Sequence, residues 1–417
     1  MPRDRATDDA HELFTRGHRA LTAGDYQEAV ECYSRAIRLR PSDAAGYRFR
    51  AHAYIEMGDR VRALNDLDQA LRLKPDDAQA YAARAEELFA QVQYDQAIED
   101  CNRALKLDPA RVGLIALRAR CHADRGDSES AFRDFAAAMS ADPANAPRYR
   151  LWRAQLYLDL EDFDAATADA SAVLSADPEN AGALSLRAAV RQHAGDYAAA
   201  IEDYTATLEL KPGDPFGHLG RAICRFLTRD NAGAVADADE VVRKLPGAVR
   251  AFEIRGNARK ALGDLDGALA DFNEAIKLAP GAPMPYNERA GVHYALRKYA
   301  AAIRDHTDAL KRDPRSSSTF NQLAWIWATC PDPDVRNGDR ARACATRACE
   351  LTEWSEPSYL DTLAAACAEC GEFEDALKYQ EKALELIEDP ERRADYQTRL
   401  ELYEAGKPVR VAGSGSV

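Results

Sequence analysis

Cys367-Ala368-Glu369-Cys370 has the two-residue spacing that suits metal ligation or thiol redox chemistry, and Cys330, Cys344 and Cys349 lie nearby in the chain. A structural zinc site needs a second pair of ligands at finger spacing, and none follows. The expectation is small buried thiols on one helix, with a metal-dependent or redox protein built on this cluster as the alternative function. His18 and His52, and later His293 and His306, are the other candidate ligands. Without a convincing third ligand they read as solvated or hydrogen-bonded imidazoles. There is no Gly-x-Ser-x-Gly elbow, no His-Glu-x-x-His and no glycine-rich phosphate loop. The chemistry-bearing residues therefore predict no enzyme, no cofactor and no metal.

Bulk properties narrow the partner. Fifty-five Lys+Arg against sixty-nine Asp+Glu give a net charge of -14 and a pI near 5.2. That is the wrong sign for a chain that neutralises phosphates, so no nucleic acid is expected. No apolar run approaches the roughly 18 residues of a membrane span. The charged start, Met1-Pro2-Arg3-Asp4-Arg5, reaches no apolar stretch, and nine scattered cysteines suit a reducing compartment. A cytoplasmic protein without a membrane partner is expected.

The elements that would position any site are set by an internal repeat. Pro41, Pro75, Pro109, Pro143, Pro178, Pro212, Pro246, Pro280 and Pro314 stand 34 residues apart, with one interval of 35. Twelve residues before each proline lies an alanine: Ala29, Ala63, Ala97, Ala131, Ala166, Ala200, Ala234, Ala268 and Ala302. Within each unit a helical pattern stops at a turn, marked Gly-Asp in five units (Gly24, Gly58, Gly126, Gly195 and Gly263), and a second amphipathic stretch runs to the proline. Strand alternation is absent, which predicts an all-α chain. A 34-residue hairpin cannot bury its apolar face alone, so neighbouring hairpins must stack.

These residues resemble the tetratricopeptide repeat family, with the small residue at position 8 (Gly17, Ala51, Ala85, Ala119, Ala154, Ala188, Ala222, Gly256, Ala290), the alanine at position 20, aromatics at position 24 (Tyr33, Phe135, Tyr204, Phe272) and the closing proline. The resemblance implies a right-handed superhelical solenoid of helix-turn-helix repeats that acts as a protein-interaction scaffold. Residues 1–9 read as a charged tail, 10–314 as nine repeats, 315–389 as two degenerate hairpins with a proline-broken turn at 330–338, 390–405 as a capping helix and 406–417 as a disordered tail. The segments around Leu323-Ala324-Trp325 and Tyr359-Leu360-Asp361 look like the terminal part of bacterial members of the family.

Two charge columns run in step. Arginine holds position 7 in nine repeats, from Arg16 to Arg289, and aspartate follows sixteen residues later from Asp66 to Asp305. Mutual pairing is expected, as exposed pairs worth at most about 1 kcal/mol each. In the family the first helices line a concave groove. The groove slots of repeats two to nine hold Arg48, Arg120, Arg148, Arg250 and Lys260 against Glu56, Glu86, Asp124, Asp159 and Glu253, a neutral balance that disfavours a polyanion. No three successive repeats match the family's chaperone carboxylate clamp. The seventh and eighth repeats place Phe216, Leu219, Ile223 and Phe226 beside Arg250, Asn257 and Lys260, a candidate site for an apolar anchor and a polar or acidic end of a protein or peptide partner. Equally open is a rotated seventh repeat that buries these apolar residues in its own core.

Overall fold

The computed structural model describes residues 5–411, which form 23 helices and no strand. Two compact units meet in sequence at Gly195 and Asp196. The first holds α1 (Arg5–Thr22), α2 (Tyr26–Leu39), α3 (Ala44–Glu56), α4 (Arg60–Leu73), α5 (Ala78–Ala90), α6 (Tyr94–Leu107), α7 (Val112–Asp124), α8 (Ser128–Ala141), α9 (Ala146–Asp159), α10 (Phe163–Ala176) and α11 (Ala181–His193). The second holds α12 (Tyr197–Leu210), α13 (Pro215–Leu227), α14 (Asn231–Lys244), α15 (Val249–Ala261), α16 (Leu265–Leu278), α17 (Met284–Ala295), α18 (Tyr299–Arg312), α19 (Ser317–Thr329), α20 (Gly338–Leu351), α21 (Pro357–Glu369), α22 (Phe373–Leu386) and α23 (Pro390–Glu404). In each unit successive helices pack as antiparallel hairpins, and each hairpin packs on the next.

The repeat explains the packing. All nine position-20 alanines are fully buried, because there the second helix presses closest against its neighbours. A larger side chain would overpack that contact, typically by 1–3 kcal/mol. Large groups fill the space beside small ones: a β-carbon added at Gly17 would stand 2.9 Å from the Tyr33 ring, and one at Gly256 would stand 2.9 Å from Phe272. No helix among the described residues is long and apolar enough to cross a membrane.

Turn chemistry fixes where the helices stop. Gly24, Gly58, Gly126, Gly195 and Gly263 adopt φ of 75 to 87°, the left-handed conformation that ends a helix. The aspartate after each turn caps the next helix, as Asp59 does by accepting the Arg62 N–H. In the intervening repeats Val92, Glu161, Arg229 and Arg297 take the same conformation at φ of 57 to 66°. Each bears a β-carbon there, a strain of roughly 1–2 kcal/mol. After Val92, moreover, Gln93 makes no side-chain cap on α6.

Both ends differ from the sequence expectation. Helix α1 begins at Arg5, inside the segment read as a tail. At the other end the segment read as disordered from Gly406 turns back over the last hairpins as far as it is described. Val409 is buried, the Val411 N–H donates to the Thr329 carbonyl at 3.0 Å, and Arg410 meets Glu369 at 2.6 Å. Burial of one valine and an ion pair to a half-enclosed carboxylate anchor these residues. Positions 412–417 of that tail lie outside the described residues. The proline-broken turn is closed by Arg336, which donates to the Cys330 and Pro331 carbonyls and to Glu369.

Candidate functional site

The arginine and aspartate columns form a ladder inside the hairpins. Arg50–Asp66, Arg84–Asp100, Arg118–Asp134, Arg153–Asp169, Arg221–Asp237, Arg255–Asp271 and Arg289–Asp305 are each joined by two or more N–H to carboxylate bonds of 2.6 to 3.1 Å. The aspartate side chains of these rungs are only 2 to 10% exposed. These are therefore not the exposed pairs that sequence spacing suggests. Removing an arginine would strand a buried carboxylate, a loss of about 3–5 kcal/mol. The third guanidinium nitrogen reaches back to the preceding hairpin, onto Ser34, Asp68, Asn102, Thr205, Asp239 and Asn273 in the corresponding repeats. Sixteen residues before Arg153 stands Ala137, so this rung has no such link. That polar column was present in the sequence at a fixed offset, but its meaning depends on the stacking distance between hairpins.

The anticipated groove patch is only partly assembled as expected. Phe216 on α13 is 73% exposed, and Leu219 is half-buried. Ile223 and Phe226 pack against Ala222, Ala238 and Ile254, so the lower half of the patch serves the hairpin core. The basic members are not free. Arg250 on α15 pairs with Glu253 at 3.1 Å and reaches the Met284 sulfur at 3.7 Å, while Lys260 pairs with Glu288 of α17 at 2.5 Å. Asn257 is half-buried on the same helix. Local pairing has used the charges that were expected to meet a partner's acidic end.

In the cysteine cluster Cys330, Cys349 and Cys367 are buried, and Cys344 and Cys370 are half-buried. All nine cysteines are free thiols, and seven are buried. Burial pushes the Cys367 thiol up to about 12, as it does for Cys349. Neutral thiols are poor nucleophiles and poor ligands. No group of three or more His, Cys, Asp or Glu side chains able to hold a metal ion occurs among the described residues. His306 lies beneath α17, with its Nδ1 3.0 Å from the Asn287 amide oxygen, and burial lowers it to about 4, so it is neutral at pH 7.

Two pockets on the first-helix faces were not anticipated. In the first unit α5, α7 and α9 enclose about 350 Å³ lined by Glu86, Phe89, Leu117, Arg120, Arg148 and Trp152. Their residue types were visible, but a sum of charges over the whole groove hid which of them find partners. In the second unit, a pocket of about 390 Å³ includes Tyr294, Asn321, Trp325, Asp361 and Tyr396. Helix α23 supplies one wall of it, since Arg399 bonds the buried Asp361 carboxylate and lies 5.0 Å from the Trp325 ring. Capping was expected of α23, but not its reach onto α19 and α21.

Tetratricopeptide repeat models match residues 17–86, 78–110, 151–215, 226–283 and 360–394. The chain belongs to the tetratricopeptide repeat family. No curated protein matches it by sequence. Among solved structures, the Cut9–Hcn1 hetero-tetramer of the APC/C matches with a TM-score of 0.50 and 12% identity over 96% of each chain. Yeast Tom70 matches with a TM-score of 0.45 and 15% identity over 95% of this chain and 96% of that one. At such identities the likeness concerns the fold. Membership of the tetratricopeptide repeat family supports a protein-interaction scaffold.

Proposed function

We propose that this chain is a noncatalytic scaffold that holds a peptide or protein segment in the concave groove of its repeats, with Phe216, Leu219, Ile223, Phe226, Arg250, Asn257 and Lys260 as one contact region. The observation that carries the reading is Phe216, a large aromatic ring left 73% exposed in the first turn of α13. Aromatic anchors dominate binding energy at interfaces when a partner buries them. The paired Arg250 and Lys260 would frame the bound segment and set its orientation, while Ile223 and Phe226 pack into the hairpin core beside Ala222, Ala238 and Ile254. A protein partner, in preference to nucleic acid, fits the net charge of -14. Nine unpaired thiols favour a reducing, cytoplasmic setting.

Affinity capture from native lysate with the wild-type chain and with Phe216→Ser tests the reading. Phe216 is peripheral enough that the substitution should leave the helical signal and melting temperature unchanged. Partners recovered by the wild type and lost by the variant are expected. Identical partner sets from both would contradict the contact region.

A further inference from the structure

We propose that the pocket between α5, α7 and α9 is a carboxylate-binding site for an acidic peptide segment, with Arg120 and Arg148 as its cationic grips. This site lies in the first unit and does not depend on the contact region around Phe216. The Arg120 guanidinium lies 4.4 Å from the Phe89 ring centre and 4.8 Å from that of Trp152, and Arg148 lies 4.5 Å from Trp152. Neither guanidinium has a hydrogen bond or ion pair to any acceptor among the described residues. That sets them apart from the other arginines held as close to a ring. Arg48 pairs with Asp77, Arg62 with Asp59, Arg399 with Asp361, and Arg312 donates to the Pro280 carbonyl. In those four the aromatic contact accompanies a satisfied cation. At Arg120 and Arg148 the aromatic contact restrains the cation while its donors remain unused, which is preorganisation for an external acceptor.

The shape and charge of the pocket select the acceptor. A planar guanidinium fork matches a carboxylate in a bidentate pair. Glu86 lines the same pocket with no ion-pair partner among the described residues, so a dense run of phosphates meets more repulsion there than a single carboxylate does. Phe89, Leu117, Tyr149 and Trp152 form walls for the apolar part of a peptide.

The test uses the full chain and fluorescence anisotropy of three dye-labelled probes: C-terminally amidated hexaglutamate, hexa-alanine with a free C-terminus, and hexathymidylate. Binding of hexaglutamate, weakened about tenfold or more by Arg120→Gln and by Arg148→Gln, supports the site. Hexa-alanine as the tighter probe would assign the carboxylate to a chain end and overturn the acidic segment as occupant. Quenching of Trp152 fluorescence, absent in Trp152→Phe, should accompany binding. Arg103→Gln, on the exposed side of α6, controls for net charge and should bind the probes as the wild type does. Equal affinity in the Arg120 and Arg148 variants, tighter binding of hexathymidylate, or no binding of hexaglutamate would overturn the proposal.

Discussion

The first-helix face at α5, α7 and α9 and the face at α13, α15 and α17 are built from the same kinds of residue, aromatic groups beside arginine or lysine, yet their charges are in opposite states. In the later region Arg250 and Lys260 are matched to Glu253 and Glu288 within 3.1 Å. In the earlier one Arg120 and Arg148 lie against aromatic rings and have no acceptor among the described residues. Composition is therefore a poor guide to a repeat groove. What matters is whether a cation's partner sits one helix away on the same scaffold or has to be supplied by another molecule.

The contrast is broken most severely at the ladder beneath α13. Asp237 accepts from Arg221, Arg225 and His218, and although burial would raise its carboxyl, the bonds from Arg221 and His218 hold it below its ordinary value. Asp237→Ala should lose about 3–5 kcal/mol in urea unfolding, because three donors lose one buried acceptor. Arg120→Gln, which breaks no protein pair, should change stability by less than about 0.5 kcal/mol. Next in size is a pH effect confined to the later unit. His306 is held near 4 by burial against an ordinary value of 6.5, with Asp305 opposing the shift. The unfolded chain binds the extra proton between those limits, so stability is full above pH 6.5 and falls by up to about 3 kcal/mol as pH drops to 4. Thermal melts across that range should show the slope in the wild type and a shallower one in His306→Gln.

A smaller change sharpens the earlier region. Val92 ends α5 in the left-handed conformation at φ 62° and is 68% exposed, so Val92→Gly relieves strain with little loss of packing. A gain of about 1 kcal/mol in chemical unfolding is expected. Smallest of all, Glu288→Gln releases Lys260 and makes the later face resemble the earlier one. Its stability should shift by less than about 1 kcal/mol, while affinity for hexaglutamate, read by anisotropy, should rise a few-fold.

The fold was legible because each of its determinants occupies a fixed place in a 34-residue period. Nine alanines in phase could only be a close helix contact, and nine prolines could only be stops. The ladder was legible as a pairing, but its depth was not, since burial of the aspartates arises from stacking that no single hairpin displays. The chain end misled for a similar reason: Gly406 and the polar residues after it have a disordered composition, and only the folded surface near Thr329 and Glu369 gives Val409 and Arg410 somewhere to bind. At the groove, the sequence identified the aromatic and basic residues but not their pairing. Lys260 and Glu288 are 28 positions apart on different helices, and nothing in either local sequence announces the bond.

Arginine-selective modification by phenylglyoxal, followed by peptide mass mapping, tests this division of charges most directly. Arg120 and Arg148 should be modified on the order of tenfold faster than the ladder residues Arg84 and Arg118, and hexaglutamate should slow them more than it slows those two, because of the four they alone have donors free for an external carboxylate. Equal rates at all four positions, or hexaglutamate protection spread evenly over them, would contradict the account.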